Sequence, residues 1–427
     1  MRDLVLTFVL AMAIATPSVA QLPPVRPLGP IVATAADALG SVPSVRSLSD
    51  GRVLVSDLTR RRLVILDSML AHPQPVLTPG GAASTVFPAR GGTLFSLPGD
   101  TTLVLDAAGA SFVVVSGDGN VVRVEAVPRA SDANVLMNAL LGQPVLDSTG
   151  RLIYRVQPFP TGFSRASGNL IFPDSSPIVA VNFDTRHRDT VAFMKTPPTA
   201  PTVSTVDADG TRHFITVTQP FELTDEWVAL PNGAIAIIRW QDYHVDWVLP
   251  GGKRTSSAKT AWNWVRLTDE EKTRLIDSLK ARNAKADTLT NRTNANPGVK
   301  LAWETMTKSP SEVPDYPPPF IPRATRVDPD GRIWVLERGK IATPSTGLIY
   351  DIIDHDGQIV DRVQAPPNAA VIGFGPGGAV YLSVSPANAT LASSIPPVVL
   401  SMPGMPMMPG APPPPPVKLA KATFSKR

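Results

Sequence analysis

The densest run of chemistry-bearing side chains in this 427-residue sequence is Arg239-Trp240-Gln241-Asp242-Tyr243-His244. Tryptophan offers a flat apolar surface, and arginine and aspartate fix orientation through charge-assisted hydrogen bonds, so the run reads as a grip for a sugar or a peptide. The plainer reading packs Trp240 between structural units. Arg155 and Glu337 follow apolar β-rich runs in the same way and join the candidate ligand-binding set. Four carboxylates, Asp57, Asp106, Asp242 and Glu337, close such runs, and their hard oxygens suit Ca²⁺ or Mg²⁺ if the fold gathers them. As ordinary turn acceptors, Asp57 and Asp106 need no metal at all. The expectation is no obligatory cofactor, with Ca or Mg left open, and no catalytic residue is named.

Other chemistries are excluded by what the chain lacks. It has no cysteine, which removes disulfides, a thiol nucleophile and thiolate metal sites. The five histidines, at 72, 187, 213, 244 and 355, include no pair at the helical i, i+4 spacing of a zinc site. Neither a Gly-x-Ser-x-Gly elbow nor a phosphate loop occurs. The formal charge is +4, and Lys418, Lys421, Lys426 and Arg427 supply four positives with no acid after Met402. The rest of the chain is balanced, so nucleic acid is not the expected partner. The methionines and prolines of 402–416 suit either a low-complexity spacer or a thioether site for Cu(I).

The elements that would position these residues are marked by glycine. Six turns, Ser49-Asp50-Gly51, Pro98-Gly99-Asp100, Ser148-Thr149-Gly150, Pro231-Asn232-Gly233, Pro329-Asp330-Gly331 and Gly375 to Gly378, each open an apolar strand. Gly51 to Gly99 is 48 positions and Gly331 to Gly378 is 47, within the period of about 40–50 residues of four-stranded propeller blades. Asp-Gly between apolar runs, as at Asp118-Gly119 and Asp356-Gly357, adds a hairpin to the second and fifth units. The prediction is an all-β, six-bladed β-propeller of four-stranded antiparallel blades, with one helical insertion between blades four and five.

Longer spacings place an insertion near Pro158–Pro177 and a second at about 266–319. The second holds a helix opened by the capping box Thr268-Asp269-Glu270-Glu271, followed by a long connection over Asn291–Pro319. The sixth blade is read as resuming at Val398-Val399-Leu400, and residues 401–427 as a Met/Pro-rich basic tail. Either Ile31–Thr34 or Val417–Ala420 should supply the last outer strand, with the N-terminal segment preferred. Within each blade the second-to-third-strand connections meet at one face of the disc, the expected site.

Residues 1–20 have the form of a secretory signal: Arg2, an apolar stretch from Leu4 to Ala15, and Ser18-Val19-Ala20 before Gln21. The expected address is periplasmic or secreted, in a bacterium, with no membrane span after cleavage. The repeated Asp-Gly-Arg with its strand at Ser49–Ser56 and Asp328–Leu336, the strand ending in Asp67, and Trp240–Trp247 resemble bacterial exported six-bladed propellers of the NHL and TolB-like kind. That resemblance covers about Val42–Leu400. It implies the architecture alone; the loop-face residues lead to the expectation of a monomeric platform recognising a protein, peptide or glycan, the alternative being a metal-dependent hydrolase or lyase at the channel mouth.

Overall fold

The computed structural model describes residues 22–40, 42, 44–82, 85–137, 141–159, 161–164, 169–196, 202–293, 301–339, 346–386 and 416–425. Six sheets of antiparallel strands follow one another along the chain, and their strands A to D run outward from a common axis. Blade one is Ser44–Ser47, Val53–Asp57, Arg62–Leu66 and Gln74–Leu77. Blade two is Gly91–Ser96, Thr102–Asp106, Ser111–Val115 and Val121–Ala126. Blade three is Val145–Leu146, Arg151–Arg155, Ser175–Asn182 and Arg188–Lys195, and blade four is Glu226–Ala229, Ile235–Arg239, His244–Val248 and Arg254–Ser256. Blade five is Arg326–Val327, Ile333–Leu336, Ile349–Ile353 and Ile359–Gln364, with Val25–Pro27 added in parallel as a fifth strand.

The sequence makes these strands because it alternates between two apolar faces. In blade five, Ile333 and Val335 pack toward blade four, while Trp334 and Leu336 pack toward blade six. In blade one, Val53 and Val55 face blade six and Leu54 faces blade two. Each junction between neighbouring blades therefore encloses its own hydrophobic core, and full burial of each such side chain stabilises by about 1.5–3 kcal/mol. The turn from strand A to strand B is held by a recurring device. Asp328 Oδ1 accepts from the amides of Asp330 and Arg332, each at 3.0 Å, and its Oδ2 accepts from Arg332 Nε at 2.9 Å and Trp334 Nε1 at 3.1 Å. Asp147 serves Thr149 and Arg151 in the same way. Gly331, at φ 79°, and Gly150, at φ 78°, take the left-handed position these turns need.

Closure differs from the sequence expectation. Blade six is Ala369–Gly375, Ala379–Val384, Lys418–Thr423 and Ile31–Thr34, so the N-terminal segment is the outer strand as preferred, but the C-terminal segment is also used, as strand C. Ala420 sits between Leu382 and Thr34, and Ala422 between Val380 and Ile31. The propeller therefore extends past residue 400, and the third-strand place assigned to Val398–Leu400 is taken by 418–423. Residues 398–400, the Met/Pro tract up to residue 415 and the signal-like residues 1–20 lie outside the described residues. Among the described residues no helix is long and apolar enough to cross a membrane.

The second insertion also departs from expectation. The helix Asp269–Thr293 begins at the capping box, where Thr268 N donates to Glu271 Oε2 at 2.8 Å and Glu271 N to Thr268 Oγ1 at 3.2 Å. The segment read as a plain connection contains a strand, Leu301–Thr307, which pairs in parallel with Arg212–Thr218, itself antiparallel to Thr202–Val206. The polar sequence of 202–218 carries little core signal because it forms an accessory sheet beside the disc. Ile276 of the helix packs with Phe221 and Val313. Near Pro158–Pro177 the chain forms a two-stranded hairpin, Gly162–Ser164 with Asn169–Ile171.

Truncation after Pro416 removes strand C of the last blade, and with it the buried Leu419 and Phe424. The expected cost is roughly 3–6 kcal/mol from those two side chains alone. Chemical denaturation should show a large loss of stability or no cooperative transition; an unchanged midpoint would contradict the closure described.

Candidate functional site

Asp57, Asp106, Arg155, Arg239 and Glu337 all stand at the ends of B strands, on the face predicted from strand direction. They do not act alike. Asp57 is fully buried, and its Oδ1 accepts from the amides of Gly40 at 3.1 Å and Arg60 at 3.2 Å while Oδ2 lies 3.4 Å from Arg62. Asp106 accepts from the amides of Ala108 and Gly109. Both are turn acceptors, the plainer of the two readings. Asp242 faces His244 and Lys259, and Glu337 accepts from Arg362 Nη2 at 2.6 Å. Among the described residues no three His, Asp or Glu side chains converge as a metal would require. The gathering of Asp57, Asp106, Asp242 and Glu337 around Ca or Mg that the sequence leaves open is thus not found, and each carboxylate is engaged by its own blade or by the segment flanking it.

Arg155 is also turned inward. Its Nε donates to Ser176 Oγ at 2.7 Å and its Nη2 to the Lys195 carbonyl at 3.1 Å. Burial pulls its guanidinium down to about 10, with Glu226 and Asp225 acting the other way.

The run 239–244 divides between core and surface. Tyr243 is completely buried in the blade four–five core, with its ring 5.4 Å from Trp262 and 5.7 Å from Phe320. Its backbone sits at φ 44°, a strained position for tyrosine, and its hydroxyl donates to Asp351 Oδ2 at 2.7 Å. Tyr243 is therefore a structural anchor and not a ligand contact. It pins the turn that presents its neighbours.

Those neighbours line a cleft of about 670 Å³ between blades three and four. One wall is Arg239, Trp240, Gln241, Asp242 and His244, and the other includes Asp174, Lys195 and Thr196. Arg239 is clamped by Asp225 and Asp246, each at 2.7 Å. Burial works against its charge, yet those hydrogen bonds hold it above its ordinary value. His244 has both ring nitrogens facing carboxylates, Nδ1 on Asp242 at 2.6 Å and Nε2 on Asp246 at 3.2 Å. Partial burial tends to raise Asp242, but hydrogen bonds from His244 and Lys259 bring it below its ordinary value. Thr196 Oγ1 is buried and has no hydrogen-bond partner among the described residues.

Trp240 and Gln241 also border a second cleft of about 570 Å³, whose other walls are Trp264, Pro314, Asp315 and Tyr316 of the insertion. Trp264 and Tyr316 meet edge to face at 6.5 Å, and Asp315 is fixed by Arg266 and Lys272. Sequence reasoning found Arg239, Trp240, Asp242 and His244 but missed Asp174, Lys195, Thr196, Trp264 and Tyr316. Only the paired tryptophans Trp262 and Trp264, in a polar stretch, hinted at the insertion's part.

Fold and cleft together define a six-bladed β-propeller whose second-to-third-strand face carries a polar cleft extended by an aromatic insertion. No protein-family model matches the chain, and no curated protein matches it. Among solved structures, a calcium-binding regucalcin from Agrobacterium tumefaciens superposes with TM-score 0.41 at 11% identity, over 94% of this chain and 98% of its own. A DUF4221 family member from Bacteroides vulgatus gives 0.45 at 8%, over 93% and 95%. The Xanthomonas campestris gluconolactonase XC5397 gives 0.38 at 12%, over 93% and 99%.

In blade five, Glu337 and Asp351 share a single guanidinium, Arg362, at 2.6 and 3.1 Å. Burial, reinforced by Glu337, pushes the Asp351 carboxyl from its ordinary 3.8 up to about 7. Between these values the folded chain holds a proton that the unfolded chain has released, so stability falls as pH rises from about 4 through 7. The melting midpoint should drop by a few degrees between pH 5 and pH 8, and Asp351→Asn should flatten that drop. An identical pH profile in the variant would remove Asp351 as the cause.

Proposed function

We propose that this chain is an exported, monomeric binding platform that recognises a glycan in the cleft around Arg239, Trp240, Asp242 and His244. Of the protein, peptide and glycan ligands that a propeller face can take, the lining fits a neutral, hydroxyl-rich chain best. Its acids Asp174, Asp225 and Asp242 are matched by Lys195, Arg239 and the adjacent Lys259, so neither a strongly acidic nor a strongly basic ligand is favoured. The observation that carries the reading is Trp240, a partly exposed indole shared by two adjoining clefts, where sugar rings can lie on aromatic faces while polar groups fix their hydroxyls. Thr196 Oγ1 supplies a buried hydroxyl in need of a partner. Tyr316, 45% exposed, extends the aromatic path outward. Export, to the periplasm or the medium, rests on the signal-like residues 1–20. A metal-dependent hydrolase or lyase would need carboxylates converging on one ion, and Asp57, Asp106, Asp242 and Glu337 do not supply that set.

The protein without residues 1–20, applied in parallel to a glycan array and a peptide array, tests this. Binding to particular glycans should weaken about tenfold to a hundredfold in Trp240→Ala, the equivalent of about 1.4–2.8 kcal/mol. Glycan binding that survives Trp240→Ala undiminished, or binding to peptides alone, would defeat the proposal.

A further inference from the structure

We propose that the axial channel holds a second site, for a small oxyanion such as phosphate or a carboxylate, separate from the cleft. A cavity of about 330 Å³ runs along the axis and is lined by every blade, with Ser44, Phe95, Val145, Val228, Arg326 and Gly373 as one representative of each. Ser96, Leu146, Pro231 and Pro329 line it too, so it reaches the glycine-turn face, opposite the cleft. Only two of its lining residues are charged. Asp328 is consumed by its turn and by Arg332 and Trp334.

Arg326 is the other, 7% exposed, and no carboxylate lies within ion-pair distance of it among the described residues. Its Nη1 donates to the carbonyls of Thr325 at 2.8 Å and Arg323 at 3.3 Å, which leave the positive charge uncancelled. Its Nε has no hydrogen-bond partner among the described residues. Two hydroxyls of the same lining, Ser44 Oγ and Thr325 Oγ1, are likewise buried and unpartnered. Glu226 acts on Arg326 through space, but its oxygens accept from the amides of Trp227 and Arg323.

An isolated buried charge is costly, and natural proteins pair such charges or hydrogen-bond them fully. Here a donor-only guanidinium and two residues whose hydroxyls can donate line one small apolar-walled channel, and among the described residues no acid of the lining is free to complement them. A tetrahedral or planar oxyanion offers the acceptors that they lack, and the guanidinium fork suits both shapes. The lining is unsuited to a metal cation, since it adds no uncommitted carboxylate. This site is independent of the cleft reading, because none of its residues touches the cleft.

Isothermal titration of the protein with inorganic phosphate and, separately, with acetate, at constant ionic strength set by chloride, tests the proposal. Phosphate or acetate should bind with a dissociation constant of about 1 mM or tighter, weakened at least about tenfold in Arg326→Met and about threefold in Thr325→Val. The stronger of the two titrants distinguishes a phosphoryl from a carboxylate ligand. Absence of binding by the wild type up to about 10 mM, or equal affinity in the variants, overturns the proposal. Should Arg326→Met fail to fold, judged by its near-ultraviolet circular dichroism, the smaller Thr325→Val change decides: unaltered affinity there overturns the proposal.

Discussion

A ring of sheets is stable only if its first and last members meet, and in this molecule the meeting depends on two strands from opposite ends of the chain. Ile31–Thr34 and Lys418–Thr423 pair with each other inside blade six. Without that ladder, blades five and one would each present an apolar face to water. Blade six instead buries Leu382, Ala420 and Ala422 against blade five, and Tyr381 and Leu419 against blade one. Trp334 fills the first of these junctions, within 4.9 Å of Phe424 and 5.0 Å of Phe374. The cleft between blades three and four, the axial channel and the strained turn at Tyr243 all inherit their geometry from this closure.

The acidic residues show how the molecule divides its polar groups. Asp57, Asp106, Asp147 and Asp328 spend their oxygens on backbone amides at turns, where a carboxylate replaces hydrogen bonds that a tight loop cannot make for itself. Asp351 keeps Tyr243 in place. In the cleft between blades three and four the acids are instead paired with Arg239, His244 and Lys259 and thereby held in fixed orientation.

The fold was largely legible because its signals are local. A turn with a glycine at positive φ and an apolar strand after it recurs within a dozen residues, so six units could be counted. Tyr243 was misjudged because nothing in the run 239–244 distinguishes a tyrosine that faces the ligand from one that turns under to Asp351, 108 positions away. The C-terminal segment is legible only as an alternative outer strand, and its place as strand C is hidden for a related reason. Lys418–Thr423 follows a proline tract and alternates charge with alanine, and its partners lie in Ala379–Val384 and at the far N-terminus. The walls of the cleft contributed by Lys195 and Thr196, and the aromatic pair Trp264 and Tyr316, depend on how blades and insertion abut, which periodicity does not encode.

The pairing of residue 34 with residue 420 sets an order of events during folding. Ile31–Thr34 has no ladder partner until Lys418–Thr423, nearly four hundred positions further along, docks beside it. Blades one to five are built from contacts local in the chain, but the circle stays open until this ladder forms. Completion is therefore a step of very high contact order, slow compared with the formation of any single blade.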